Sequence, residues 1–168
     1  MGWAKHAMAE PLAGEGGILA ALKEHLPVMG KVAMALVGDG ARVESILEEA
    51  AREAATTPEP PRDAKPWLLG LVRIASAKQL SKLGGPLHKT RGYDTAPNTE
   101  RIGMAAGARN ALQSLRPTER EAVVLSIIGR LNHQDLAVAC NVDVQTAKTR
   151  LSRGLEQMLA AEMDGEKK

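Results

Sequence analysis

The sequence has no phenylalanine, and aromatic residues make up only 2% of its 168 positions. A core must therefore be built from Leu, Ala, Val, Ile and Met. Ala and Leu are strong helix formers and β-branched runs are scarce, so the composition predicts an all-α fold. A single cysteine, Cys140, excludes an internal disulfide framework and any multi-cysteine zinc site. It reads as a small buried hydrophobe. No stretch approaches the ~18 uninterrupted apolar residues of a membrane span, and the opening "MGWAKHAMAEPLAGEGG" has no apolar signal core. The expectation is a soluble, cytoplasmic protein without membrane insertion. His6, His25, His88 and His133 show no metal-ligand spacing. There is no Gly-rich phosphate loop and no nucleophile–base motif, so an enzyme is the weakest class, with no metal and no cofactor expected.

Charge is present in both signs, and its distribution is informative. Residues 1–60 hold five Lys/Arg against nine Asp/Glu, residues 61–110 hold nine against three, and residues 111–168 hold eight of each. The basic middle points to a polyanion or an acidic protein surface as neighbour, or to a solvated linker.

Apolar spacing divides the chain. Residues 1–16 lack periodicity and read as a loose tail. A helical bundle follows over 17–83. Its first helix carries Ile18, Leu19, Leu22, Leu26, Met29, Val32, Ala33 and Leu36, with Pro27 as a kink or a second start, and ends at Gly38–Gly40. The second, about Ala41–Ala55, places Val43, Ile46, Leu47, Ala50 and Ala54 on one face. "TTPEPP" breaks the pattern, and a third helix starting near Pro66 carries Trp67, Leu68, Leu71, Ile74, Ala75 and Leu80. Residues 84–106 read as a basic linker. Four closely spaced helices occupy 107–162, and 163–168 is a polar tail.

Local signals are densest in the last unit. Thr118 and Glu121 have capping-box spacing. Asn132 suits an N-cap, with Asp135 in the first turn behind it, and Asp143 suits the next N-cap. Ala137 and Asn141 lie four apart. A helix-turn-helix needs a small residue where its helices cross, and Asn is second only to Gly in the left-handed conformation such a turn adopts. Leu136, Cys140, Val142, Ala147, Leu151, Leu155 and Met158 should point inward. The opposite face of the last helix carries Gln145, Lys148, Thr149, Ser152 and Arg153, flanked by Thr146 and Arg150. Amide, hydroxyl and cationic groups of this kind read base edges and phosphates in the major groove. A plain solvated face is the alternative.

On these residues the chain resembles a known family. "LRPTEREAVVLSIIGRLNHQDLAVACNVDVQTAKTRLSRGLEQML" is similar to the promoter-binding domain of extracytoplasmic-function (ECF) sigma factors of the sigma-70 family. The carriers are Arg120-Glu121, Gly129, Asp135-Leu136-Ala137 and Thr146 through Gly154. "HLPVMGKVAMALVGDGARVESILEEAARE" and "PWLLGLVRIASAKQLSK" resemble the first helices of the same family. The resemblance implies a non-catalytic, dissociable subunit of RNA polymerase that binds double-stranded promoter DNA and core polymerase, with an anti-sigma factor as a further partner. It implies −35 reading by Gln145, Thr146, Lys148, Thr149, Arg150 and Arg153. It assigns −10 contacts to Arg62, Lys65, Arg73, Lys78 and Lys82, and core polymerase contacts to Glu44, Glu48 and Glu49.

The N-terminal unit departs from the family pattern. Ser45, Glu48 and Ala51 stand where Asp, Gln and an aromatic are usual, and Ile74, Lys78 and Ser81 where Asn, Asp and Arg are. The loop "TTPEPPRDAK" offers no aromatic on which a splayed base could stack, and Trp67 reads as core. Two other readings therefore stay open. One is a sigma-like regulator or anti-sigma-binding decoy without promoter opening. The other is an unrelated dimeric helix-turn-helix regulator.

Overall fold

The computed structural model describes residues 15–82 and 106–165. Among them are seven helices and no strand. The expected tail before residue 15, nearly all of the 84–106 linker and the last three residues lie outside the described residues.

Helix α1 (Glu15–Val37) is continuous through Pro27. The proline neither starts a second helix nor ends the first. It removes one hydrogen bond on an exposed turn, while Val32 through Val37 beyond it are all buried. Gly38 stops α1 with φ 68°, its amide donating to Met34 O at 2.7 Å. Asp39 then caps α2 (Gly40–Thr56): its carboxylate accepts from Ala41 N at 3.0 Å and from Arg42 Nε at 2.9 Å. The α2 face buries Ile46, Ala50 and Ala54, at a strict spacing of four. Thr56 and Thr57 close the helix by donating their hydroxyls to Glu53 O.

Helix α3 (Ala64–Lys82) starts two residues before Pro66, which falls in its first turn. Pro66 through Val72 are buried without interruption, Trp67 among them. A helix apolar all round is one covered on more than one side. Here α1 and α2 cover one side of α3, and a C-terminal helix covers another.

The second set comprises α4 (Ala106–Ser114), α5 (Pro117–Ile127), α6 (His133–Cys140) and α7 (Val144–Gly165). The expected Thr118–Glu121 capping box does not form. Arg116 is the N-cap and makes no side-chain cap bond, and Pro117 takes the first helical position. Proline is suited there because its missing N–H would be an orphan anyway. The start is thereby moved upstream, leaving Thr118 exposed inside the first turn. Arg120 does what the sequence did not disclose. It is 3% exposed, and its guanidinium donates to the carbonyls of Leu112, Gln113 and Leu115 at 2.9–3.2 Å. Those carbonyls end α4, so one buried cation satisfies them and ties α4 to α5.

Past α5, the residue with positive φ is Arg130 at 53°, not Gly129. Gly129 is buried for another reason. A Cβ there would lie 3.0 Å from Leu69 Cδ1 of α3 and 2.4 Å from Leu125 O. One connected core runs from Ala21 in α1 to Leu151 in α7. The α1–α3 set and the α4–α7 set are thus docked on each other, α6 and α5 facing α3 and α1.

Candidate nucleic-acid interface

The turn between α6 and α7 is built by local chemistry. Asn132 caps α6, its Oδ1 accepting from the amides of Gln134 and Asp135 at 2.9 Å. Asp135 answers by accepting from Asn132 Nδ2 at 2.8 Å. Asn141 ends α6 in the left-handed conformation, φ 53° and ψ 48°. Its amide donates to Val138 O at 3.1 Å and that of Val142 to Ala137 O at 3.0 Å. This pair of bonds is a Schellman closure. Ala137 is 1% exposed, so the small side chain sits where the helices approach. Asp143 then caps α7, accepting from Thr146 N at 2.8 Å and from the Thr146 hydroxyl at 2.7 Å. Those hydrogen bonds hold the Asp143 carboxyl below its usual range.

The inner face of α7 buries Ala147 and Leu151, and Met158 packs against the core. Leu155, expected to point inward, is 36% exposed and begins an outer stripe with Leu159 and Met163. The reason lies one residue earlier. Gly154 is the position on which α5 rests, a Cβ there falling 2.6 Å from Val123 Cγ2 and 3.2 Å from Glu119 O. Close approach at residue 154 turns residue 155 away.

On the outer face, Gln145, Lys148, Ser152 and Arg153 are exposed together, while Thr149 and Arg150 are half-buried at its edge. The hydroxyls are partly committed. That of Thr149 donates to Gln145 O at 2.9 Å, and that of Thr146 is held by Asp143. The groups aimed at solvent are thus one amide, one hydroxyl and two cations, presented within about two turns of a rigidly capped helix. Such a face can approach the edges of a base pair and the flanking phosphates.

The N-terminal positions are arranged differently. Glu44 and Glu48 are exposed on α2, but Glu49 pairs with Lys78 of α3 at 2.8 Å. Ser45 also faces α3, accepting from Gln79 Nε2 at 3.3 Å. Arg62 and Lys82 are exposed and Lys65 is half-buried. Arg73 lies between the two sets. Its Nε donates to Ala139 O of α6 at 2.9 Å, and its Nη1 lies 3.5 Å from Glu121 Oε2 of α5. Burial pushes the Glu121 carboxyl above its usual range, and Arg73 pulls it partly back. Cys140 is buried beside this pair, its thiol pushed up to about 11 by desolvation. The structure therefore gathers the −35 candidates on one face and scatters the −10 candidates. No cluster of His, Cys, Asp or Glu fit to hold a metal occurs among the described residues, and no described helix is long and apolar enough to cross a membrane.

A capped α6, a left-handed turn and an exposed polar α7 define a helix-turn-helix module, a class that reads double-stranded DNA. Residues 107–158 match the family model for sigma-70, region 4. No curated protein sequence matches the chain. Two solved structures resemble most of it. The sigma factor RpoE of Bartonella quintana, in complex with the anti-sigma factor NepR, has a TM-score of 0.61 at 18% identity, over 84% of this chain and 94% of that one. CnrH, in complex with the cytosolic domain of CnrY, has a TM-score of 0.64 at 15% identity, over 98% and 96%. Residues 107–158 are thus similar to a sigma-70 region 4 domain, and the helices as a whole share the fold of these two solved structures.

Proposed function

We propose that the protein is an ECF-type sigma factor, a non-catalytic subunit that directs RNA polymerase to particular promoters. One observation carries this reading. The exposed Gln145–Lys148–Ser152–Arg153 face lies on a helix aimed by the Asn141 turn, inside the segment that matches region 4. In this reading α7 enters the major groove at the −35 element, while α1–α3 bind core polymerase and the −10 element. The two similar structures were solved as complexes, one with an anti-sigma factor and one with the cytosolic domain of CnrY. By analogy, an anti-sigma factor is proposed as a partner here.

A second reading has specific support. Of the five cations assigned to −10 DNA, Arg73 and Lys78 are engaged by protein groups, and the stretch before α3 holds no aromatic. A sigma-like protein that binds polymerase or an anti-sigma factor but does not open promoters fits those facts.

Reconstitution with core polymerase separates the two. Promoter-specific transcripts and open complexes are expected from the sigma factor. Association without opening supports the second reading instead. Lys148→Ala and Arg153→Ala should each weaken duplex binding by about 1–3 kcal/mol where the residue reads a base. A titration showing no loss for either would reduce the α7 face to a solvated surface.

A further inference from the structure

Helix α7 divides its charge along its length. Residues 144–155 hold three Lys/Arg and no Asp/Glu, and residues 156–165 hold three Asp/Glu and no Lys/Arg. Its outer apolar groups are divided as well. Lys148 and Ser152 of the exposed face are followed, at steps of three and four, by Leu155 and Leu159. Met163 stands one turn further on. Leu159 and Met163 are 62% and 65% exposed, so no described part of the chain covers them. Steps of three and four keep residues on one seam of a helix. The seam thus begins at a lysine, passes through two leucines and reaches Glu162 by the same spacing in the sequence.

Such a seam complements itself when reversed. With Leu155 of each copy beside Leu159 of the other, two antiparallel α7 helices bury their leucines together. The basic half of each helix then runs along the acidic half of its partner. A parallel pair would set like charges side by side and align the helix dipoles. A two-fold interface requires self-complementarity of this kind. We infer that α7 is the interface of a symmetric dimer of this chain, paired antiparallel through Leu155 and Leu159. One consequence rests on reading α7 as DNA-facing. The acidic half of the second copy lies along Lys148 and Ser152, where a duplex would lie, so dimer and duplex exclude each other.

Sedimentation equilibrium of the full chain tests the pairing, over loading concentrations from about 1 µM to about 1 mM, the span of weak association. A monomer–dimer equilibrium is expected, and added salt should weaken it because ion pairs are screened. Leu159→Gln should weaken the dimer about a hundredfold, since a two-fold interface counts each lost leucine twice. Gln is a good helix former and the site is exposed in the single chain, so circular dichroism should show unchanged helix content. Lys148→Glu should weaken the dimer about tenfold, and adding Glu162→Lys should recover it. A monomer at every concentration overturns the dimer. A dimer indifferent to Leu159→Gln overturns α7 as its interface. A double variant no stronger than Lys148→Glu overturns the antiparallel pairing. Excess mixed-sequence duplex should convert dimers into monomer–duplex complexes, and a duplex held by an intact dimer overturns the exclusion. Failure of the monomeric Leu159→Gln chain to bind duplex would refute only the DNA reading of α7, because the dimer is measured without DNA.

Discussion

The two halves of this molecule are stabilised by different means. In α4–α7, short-range polar contacts fix four of the boundaries: Arg120 on the end of α4, Asn132 and Asp143 as caps, Asn141 as the left-handed stop. In α1–α3 the Gly38–Asp39 corner and the Thr56 and Thr57 hydroxyls on Glu53 O are of that kind. The rest is side-to-side burial, culminating in α3, whose residues 66–72 touch no solvent-exposed face. The contrast teaches where precision is needed. A helix that must present a few groups to a base pair gains from boundaries fixed to one residue, because a slip of one position rotates its face by about 100°. A bundle that buries apolar area tolerates looser ends.

The sharpest way to break this comparison is to cut the shared core on each side. Leu68 in α3 and Leu125 in α5 are both 0% exposed. Leu68→Ala and Leu125→Ala should each remove about 2–5 kcal/mol in urea unfolding. Because one core joins the sets, either change should shift Trp67 fluorescence and backbone circular dichroism together. Separate transitions would show that the halves fold independently and that their docking adds little. A smaller effect tests the local devices. Asn141→Ala should lose roughly 1–2 kcal/mol, the strain of an ordinary side chain in the left-handed region. Asn141→Gly should lose little or none. Equal losses for both would mean that the Asn side chain, and not its backbone conformation, holds the turn.

The smallest effect is one of pH. The Asp143 carboxyl is depressed in the folded chain by its bonds from Thr146. A depressed acid stabilises fully above its unfolded value, ordinarily 3.8, and loses that contribution as pH falls through the lower folded value. Urea midpoints of the native chain should therefore fall further between pH 6 and pH 3 than those of Asp143→Asn, which keeps a capping oxygen but does not titrate. Parallel profiles would assign the acid sensitivity to other groups.

Legibility followed the same divide. Asn132, Ala137, Asn141 and Asp143 were readable in advance because each acts on backbone within five residues of itself, and residue type nearly decides the outcome. Thr118 and Glu121 obeyed the same rule in spacing yet failed, because Pro117 claimed the helix start and Arg73 claimed the glutamate. Gly129 lies just past the end of α5, and only the structure shows that it is also a place of close approach for Leu69. Leu155 fitted the inward period and was turned out by the packing at Gly154.

By itself, then, the sequence determined the all-α class, the breaks between α1, α2 and α3 and between α5, α6 and α7 in outline, and the exposed α7 face, since these depend on propensity, capping and turn chemistry between near neighbours. Only the tertiary structure decided that α6 lies on α3, that Arg120 closes α4, and that Arg73 of α3 donates to a carbonyl of α6. Those pairings join residues as far as 66 positions apart, and no local pattern encodes which buried surface will meet which.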